Sequence, residues 1–211
     1  MEHIAGSEKR NQNLRLRNWD FEFPHYAVDG VRDRNMTKPD FNSLESMIEQ
    51  DVRRFHRRAK NEITIIYNLS QEVFYKHNED NPELAELAAS LFLFFSDIIY
   101  YINIEERKLV PAIHKLLRDN GYSEICHSDE KPGIRELIRE IRLEHDAAIK
   151  KLIYFKTLTK GYMAPVSACK SYRLLFAKLK EFGNDLAEYV HFENRRFFPL
   201  AIELELYFKK I

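Results

Sequence analysis

Asp97-Ile-Ile-Tyr-Tyr101-Ile-Asn-Ile-Glu105 sets a carboxylate, a phenol and a second carboxylate four residues apart in an otherwise apolar stretch. Residues at that spacing lie on one face of an α-helix, roughly 6 Å apart along its axis. Asp185-Leu-Ala-Glu-Tyr189-Val-His-Phe-Glu193 repeats the arrangement, each position 88 residues after its counterpart. Arg107 and Arg195, and Pro111 and Pro199, keep the same interval. A second set, Val52, Arg53, His56, Ala59 and Ile63, recurs 89 residues on as Ile141, Arg142, His145, Ala148 and Leu152. Self-similarity at a fixed interval marks a duplicated structural unit. The chain therefore reads as two copies of one helix pair, with matching residues around a shared centre.

Breakers on either side of these segments outline four long helices. The first is predicted from about Ser43 to Tyr75, ahead of the polar run His77-Asn78-Glu79-Asp80-Asn81. The second starts at Pro82, a favoured first-turn residue, and stops near Asp119 before Asn120-Gly121. The third follows Pro132-Gly133 and reaches about Lys160, and the fourth runs from near Pro165 to about Tyr207. Apolar residues recur at helical spacing, as in Ile138, Ile141, Leu143, Ala148, Ile149 and Leu152, and no segment sustains a period of two. Four helices with short connections predict an all-α fold: an antiparallel up-down four-helix bundle over residues 41–211. Residues 1–40 carry Trp19, Phe21, Phe23 and Tyr26 around Pro24, too few apolar groups for a core of their own. They are expected to form an N-terminal arm packing on the bundle.

Composition narrows the function classes. The 211 residues are 45% hydrophobic and 31% charged, with 33 Lys+Arg against 33 Asp+Glu. A net charge of zero removes the usual electrostatic reason to expect nucleic acid or an anionic membrane as partner. Two cysteines, Cys126 and Cys169, make no Cys-x-x-Cys pair and no disulfide framework. The first residues lack the basic and apolar regions of a signal peptide. The most apolar stretch, Leu84 to Ile104, is interrupted by Glu86, Ser90, Ser96 and Asp97, short of a clean membrane span. The expectation is a cytoplasmic protein with a small-molecule ligand, no nucleic acid and no membrane; a homodimer is left open.

The polar stripes demand a reason. A buried carboxylate without a partner is several kcal/mol unfavourable, so a positive group is expected beside it. Two Glu, two His and two Tyr from four facing helices can enclose a dinuclear metal site. Iron suits that donor set: imidazole accepts Fe or Zn, carboxylates bridge hard ions, and thiolate is absent. Fe(III) is also acidic enough to ionise a phenol whose pKa is ordinarily about 10. Mn or Zn in the same cage is the competing occupant. Tyr101 and Tyr189 read either as direct ligands or as hydrogen-bonding neighbours of the carboxylates. Asp97 and Asp185 read as partners of the duplicated Arg53 and Arg142, or as support for the ligands, ahead of direct ligation. Cys126-His127 has no partner at ligand spacing and reads as plain loop.

His on the first helix, ligand-x-x-x-Glu on the second, and the same again on the third and fourth resemble the hemerythrin-like (HHE cation-binding) domain, its iron–sulfur cluster repair branch above all. The resemblance spans about Ser43 to Ile202. It is carried by Arg54-Phe55-His56, Glu105-Glu106-Arg107-Lys108-Leu109-Val110-Pro111, Glu144-His145-Asp146 and His191-Phe192-Glu193-Asn194-Arg195-Arg196-Phe197-Phe198-Pro199. It implies His56 and His145 as terminal ligands of two irons and Glu105 and Glu193 as bridging carboxylates. Where the family has His on helices two and four, this chain has Tyr101 and Tyr189. That departure turns the expectation from reversible oxygen carriage toward O2, NO or peroxide handling, as an oxidoreductase or peroxidase-like activity in stress response or iron–sulfur cluster repair. The alternative is a metal-free bundle serving as an interaction or sensing module.

Overall fold

Pro82 has no backbone N–H to lose, and the second helix begins immediately after it, with Asn81 and Pro82 carbonyls accepting the first bonds from Leu84 and Ala85. A computed structural model describes residues 41–118 and 132–209. The proposed arm over 1–40 and the Cys126-His127 segment lie outside the described residues. Within them the chain forms four rods. The first is α1 (Phe41–Met47), a turn over Ile48–Val52, and α2 (Arg53–His77). The second is α3 (Glu83–Ile104), a turn over Glu105–Leu109, and α4 (Val110–Arg118). The third is α5 (Ile134–Leu158); the fourth is α6 (Lys170–Phe192), a turn over Glu193–Phe197, and α7 (Phe198–Lys209).

α2 packs against α3 and α6, and α5 packs against α3 and, on its other side, α6 and α7. The result is the expected up-down four-helix bundle. Leu44, Ile48, Val52, Ile113, Ile138 and Leu204 fill one end. Toward the other, Phe94 meets Phe155 and Phe182 edge to face, and Tyr172 meets Phe176 in the same way. Along each rod the candidate ligands fall between these two hydrocarbon layers. Ala59 and Ala148, one turn beyond each histidine, are buried and keep side-chain bulk away from it.

The three turns inside the rods are π-helical. Arg53, Val110 and Phe198 N–H donate to the carbonyls five residues back, on Ile48, Glu105 and Glu193. Two of them begin on the candidate bridging carboxylates, and each of these two is followed by proline two residues past its end. Proline in a helix crowds the carbonyl four residues earlier and removes its donor. Here those carbonyls belong to Arg107 and Arg195, inside the widened turns. The duplicated Pro111 and Pro199 are thus the sequence mark of both turns; the turn at Ile48–Val52 has no such mark and no explanation in its residues.

Two boundaries differ from expectation. α5 stops at Leu158, and Lys160, Gly161 and Tyr162 all take positive φ (51°, 80° and 64°). Thr159 Oγ1 donates to Phe155 O and accepts Tyr162 N–H, which holds that turn. α6 starts at Lys170 rather than near Pro165, because Pro165 opens a separate turn closed by Ala168 N–H and Cys169 is extended (φ −71°, ψ 173°). Within the rod Glu83–Arg118 an 18-residue window has a mean hydropathy of 1.7, enough by length and composition to cross a membrane, as the core helix of a bundle also can. Its Leu84, Leu87, Leu91, Phe94 and Ile98 face the bundle core.

Candidate metal centre

His56, Tyr101, Glu105, His145, Tyr189 and Glu193 converge in the middle of the bundle, and every one of them is buried. α2 and α5 contribute the imidazoles and α3 and α6 the phenols, while each carboxylate sits where its α-helix opens into the π turn. Ligand atoms of Glu105, His145 and Glu193 lie within 4.8 Å of one another. His56 Nε2 is 2.9 Å from Glu105 Oε2, and Tyr189 Oη donates to the same oxygen at 3.1 Å. His145 Nε2 stands 3.3 Å from Glu193 Oε2 and 3.9 Å from Glu105 Oε1 without hydrogen bonding to either. Tyr101 meets the His145 ring edge-on, centroids 5.0 Å apart.

The grouping is crossed between the two copies. His56 shares its surroundings with Tyr189, stacked on Phe55 at 3.7 Å between centroids, and His145 with Tyr101. Glu105 and Glu193 lie between the two halves. One half closes itself with hydrogen bonds; the other does not. Tyr101 Oη, Glu105 Oε1, both nitrogens of His145 and both carboxylate oxygens of Glu193 are buried with no hydrogen-bond partner among the described residues. Burial, then Glu105, pushes the Glu193 carboxyl well above the usual carboxylate range. Burial chiefly, and then both glutamates, raises the Tyr101 and Tyr189 phenols well above 10. Burial drives His145 down to about 4, against the opposing pull of Glu105. Orphaned acceptors around two buried imidazoles are what a cation would satisfy, and oxygen and nitrogen donors without thiolate fit hard or borderline ions such as iron.

The four supporting candidates stand elsewhere. Asp185 pairs with Arg58 at 2.7 Å, not with either duplicated arginine, and Asp97 is exposed with no ion pair among the described residues. Arg53 pairs with Glu49 one turn away on its own rod, and Arg142 Nε donates to Asn194 Oδ1 at 3.2 Å. The matched Arg–Asp pairs expected from the duplication do not form, because Arg53 points along an exposed helix face with a nearer carboxylate. His77 lies away from the centre, 3.1 Å from Cys169 Sγ, and His191 is exposed.

Sequence reading missed Glu106. Its Oε1 lies 3.2 Å from His56 Nδ1, and both its oxygens accept from Lys60 Nζ at 2.8 and 2.7 Å. Against the upward pull of partial burial, those bonds carry its carboxyl below the usual range. A carboxylate on the outer nitrogen of an imidazole fixes the tautomer that leaves the inner nitrogen free to bind a metal. Lys60 stands one helical turn from His56, and that spacing was the available signal.

Comparison with known proteins agrees with this geometry. A family model described as the hemerythrin HHE cation binding domain matches residues 47–201. The iron-sulfur cluster repair protein YtfE of Musicola paradisiaca is 31% identical over 162 residues, 77% of this chain and 67% of that protein. YtfE of Dickeya chrysanthemi is 28% identical over 163 residues, covering 77% and 68%. That of Pectobacterium atrosepticum is 27% identical over 162 residues, covering 77% and 67%.

Proposed function

The chain belongs to the hemerythrin HHE cation-binding family, and from that premise we propose that it is a non-haem di-iron protein of stress response or iron–sulfur cluster repair. His56 with Tyr189 would hold one ion and His145 with Tyr101 the other, Glu105 and Glu193 serving both. When bound, the irons supply one-electron redox chemistry toward a small oxidant or diatomic ligand such as O2, NO or peroxide, and a store of iron for damaged clusters. The observation that carries the reading is the set of buried, unpartnered atoms on Tyr101, Glu105, His145 and Glu193. A cytoplasmic setting suits a protein of this kind, and Cys169 is a free thiol.

The two phenols set this centre's character. Each is held protonated by burial and carboxylates, so it ionises only against a strongly charged ion. Phenolate donors favour Fe(III) over Fe(II), which supports redox or peroxide chemistry, or iron donation, over reversible oxygen storage. The hydrogen bonds joining His56, Glu105 and Tyr189 favour a second reading, a metal-free sensing module, because they close that half without a cation.

Elemental analysis and visible absorbance on one iron-reconstituted sample separate the two. Two irons per chain and a phenolate-to-iron charge-transfer band are expected, and Tyr101→Phe with Tyr189→Phe should abolish the band. Two irons without a band would place the phenols outside the ligand set. No uptake of iron, zinc or manganese would leave the metal-free module.

A further inference from the structure

The two halves of the centre differ in one respect that the duplication would not produce. A groove of about 520 Å³ opens beside His56, lined by Arg53, Arg57, Lys60, Asn61 and Glu106. His56 itself is 1% exposed, while Glu106 and Lys60, which hold its outer nitrogen, are 36% and 37% exposed at their side chains. Water therefore reaches the group that orients His56. At the corresponding positions of the second copy the same devices are gone: Glu106 becomes Asn194, Lys60 becomes Ile149 and Arg57 becomes Asp146. Asn194 is taken by Arg142, and His145 has a stacked Phe198 (5.9 Å, 15°) and a perpendicular Tyr101 around it. Its outer nitrogen has no partner among the described residues.

The groove also has a charge preference. Arg53 is occupied by Glu49 and Lys60 by Glu106, but Arg57 has no ion pair among the described residues. The three cations recur on one face of α2 at spacings of four and three residues, a geometry that suits an anion with several carboxylates. Glu106 adds the opposite charge at the inner wall, beside His56, where a cation would leave or enter.

From this we propose that the groove is an exchange port. The metal position on the His56–Tyr189 side gives up and takes up its ion through it, by way of small polycarboxylate anions docked on Arg57. Glu106, clamped by Lys60, is a positioning residue for His56, and the His145–Tyr101 side retains its ion. This inference rests on the dinuclear reading above, and deepens it by assigning unequal roles to the two positions.

The test uses the full chain loaded with iron, reduced, and mixed with an uncharged bipyridine chelator whose ferrous complex reports release, with and without citrate. Two phases of equal amplitude are expected, with citrate accelerating the fast one. Glu106→Gln should speed the fast phase about tenfold and leave the slow phase unchanged, the size seen when an outer partner of a ligating histidine is lost. Arg57→Gln should remove the citrate acceleration without altering the rate in its absence. In iron-free protein, calorimetry should find one citrate site per chain, weakened at least tenfold by Arg57→Gln. Arg57 is exposed and Glu106 is half-buried, and Gln keeps the Glu106 side chain's size, so the variants are expected to keep the fold, which circular dichroism checks. Two irons released in a single phase, or both phases shifted equally by Glu106→Gln, would overturn the exchange port while leaving two bound irons. A chain that takes up no iron would overturn the dinuclear reading and this inference with it.

Discussion

Glu193 is sealed from water beside a second carboxylate, and His145 is sealed beside it with the opposite titration. Their effects on the metal-free protein have opposite signs. The raised Glu193 carboxyl stabilises the fold below the unfolded value of 4.5, and that stability is lost as pH rises toward its folded value. His145, lowered from 6.5 to about 4, stabilises above 6.5, and about 3 kcal/mol is lost as pH falls through that window. Above 4.5 the two slopes oppose, and above 6.5 His145 no longer offsets the loss from Glu193. The thermal midpoint of metal-free protein should therefore decline as pH is raised above 6.5, and Glu193→Gln should flatten that decline. A wild-type midpoint constant or rising over this range would mean that Glu193 ionises freely, with a cation or solvent beside it. The crossed grouping of His56 with Tyr189 was not legible in the residues, since spacing places donors on a face but does not say which neighbouring face they meet.

The start of α5 shows how an element can depend on a residue far along the chain. Gly133 has no side chain with which to cap, and Glu205 of α7 accepts the Ile134 and Arg135 N–H groups at 3.0 and 3.2 Å instead. A Cβ on Gly133 would lie 2.5 Å from Glu205 Oε1, so the glycine is what lets the carboxylate approach. Glu205→Ala should destabilise the protein by about 1–2 kcal/mol, the usual loss for an N-terminal cap, and Gly133→Ala should do so by displacing the same carboxylate. Urea unfolding followed by circular dichroism measures both; a double variant no worse than either single one would show that they share one interaction. The rods themselves were legible because apolar residues recur at helical spacing over several turns, and breakers such as Pro82 and Gly161 act locally. The cap was not, because residues 134 and 205 are brought together only by tertiary packing. The π turns fell between these cases: Pro111 and Pro199 marked them, but a proline is equally compatible with a kink or a helix end.

For the molecule as a whole, duplication made the centre readable and its failure makes the centre directional. Matching His, Tyr and Glu in both copies pointed to one shared site, and all six side chains meet there. What the intervals could not show is where the copies diverge in environment, at Glu106 against Asn194 and Lys60 against Ile149, because a substitution in one copy acquires meaning only when its neighbours are known. The same convergence links folding to metal. An unfolded chain has no preformed site, so an ion that binds only the bundle stabilises it by mass action. At a thousandfold excess over its dissociation constant one ion contributes about 4 kcal/mol. For a chain of this size each kcal/mol moves the midpoint by about 2–4 °C, so iron loading should raise it by on the order of 10 °C. The rise should also reverse the alkaline decline of the metal-free form, since a bound cation stabilises ionised Glu193. Scanning fluorimetry of chelator-treated and iron-reconstituted protein across pH measures both effects. An iron-loaded midpoint that stays on the metal-free curve would mean that these buried carboxylates hold protons instead of metal.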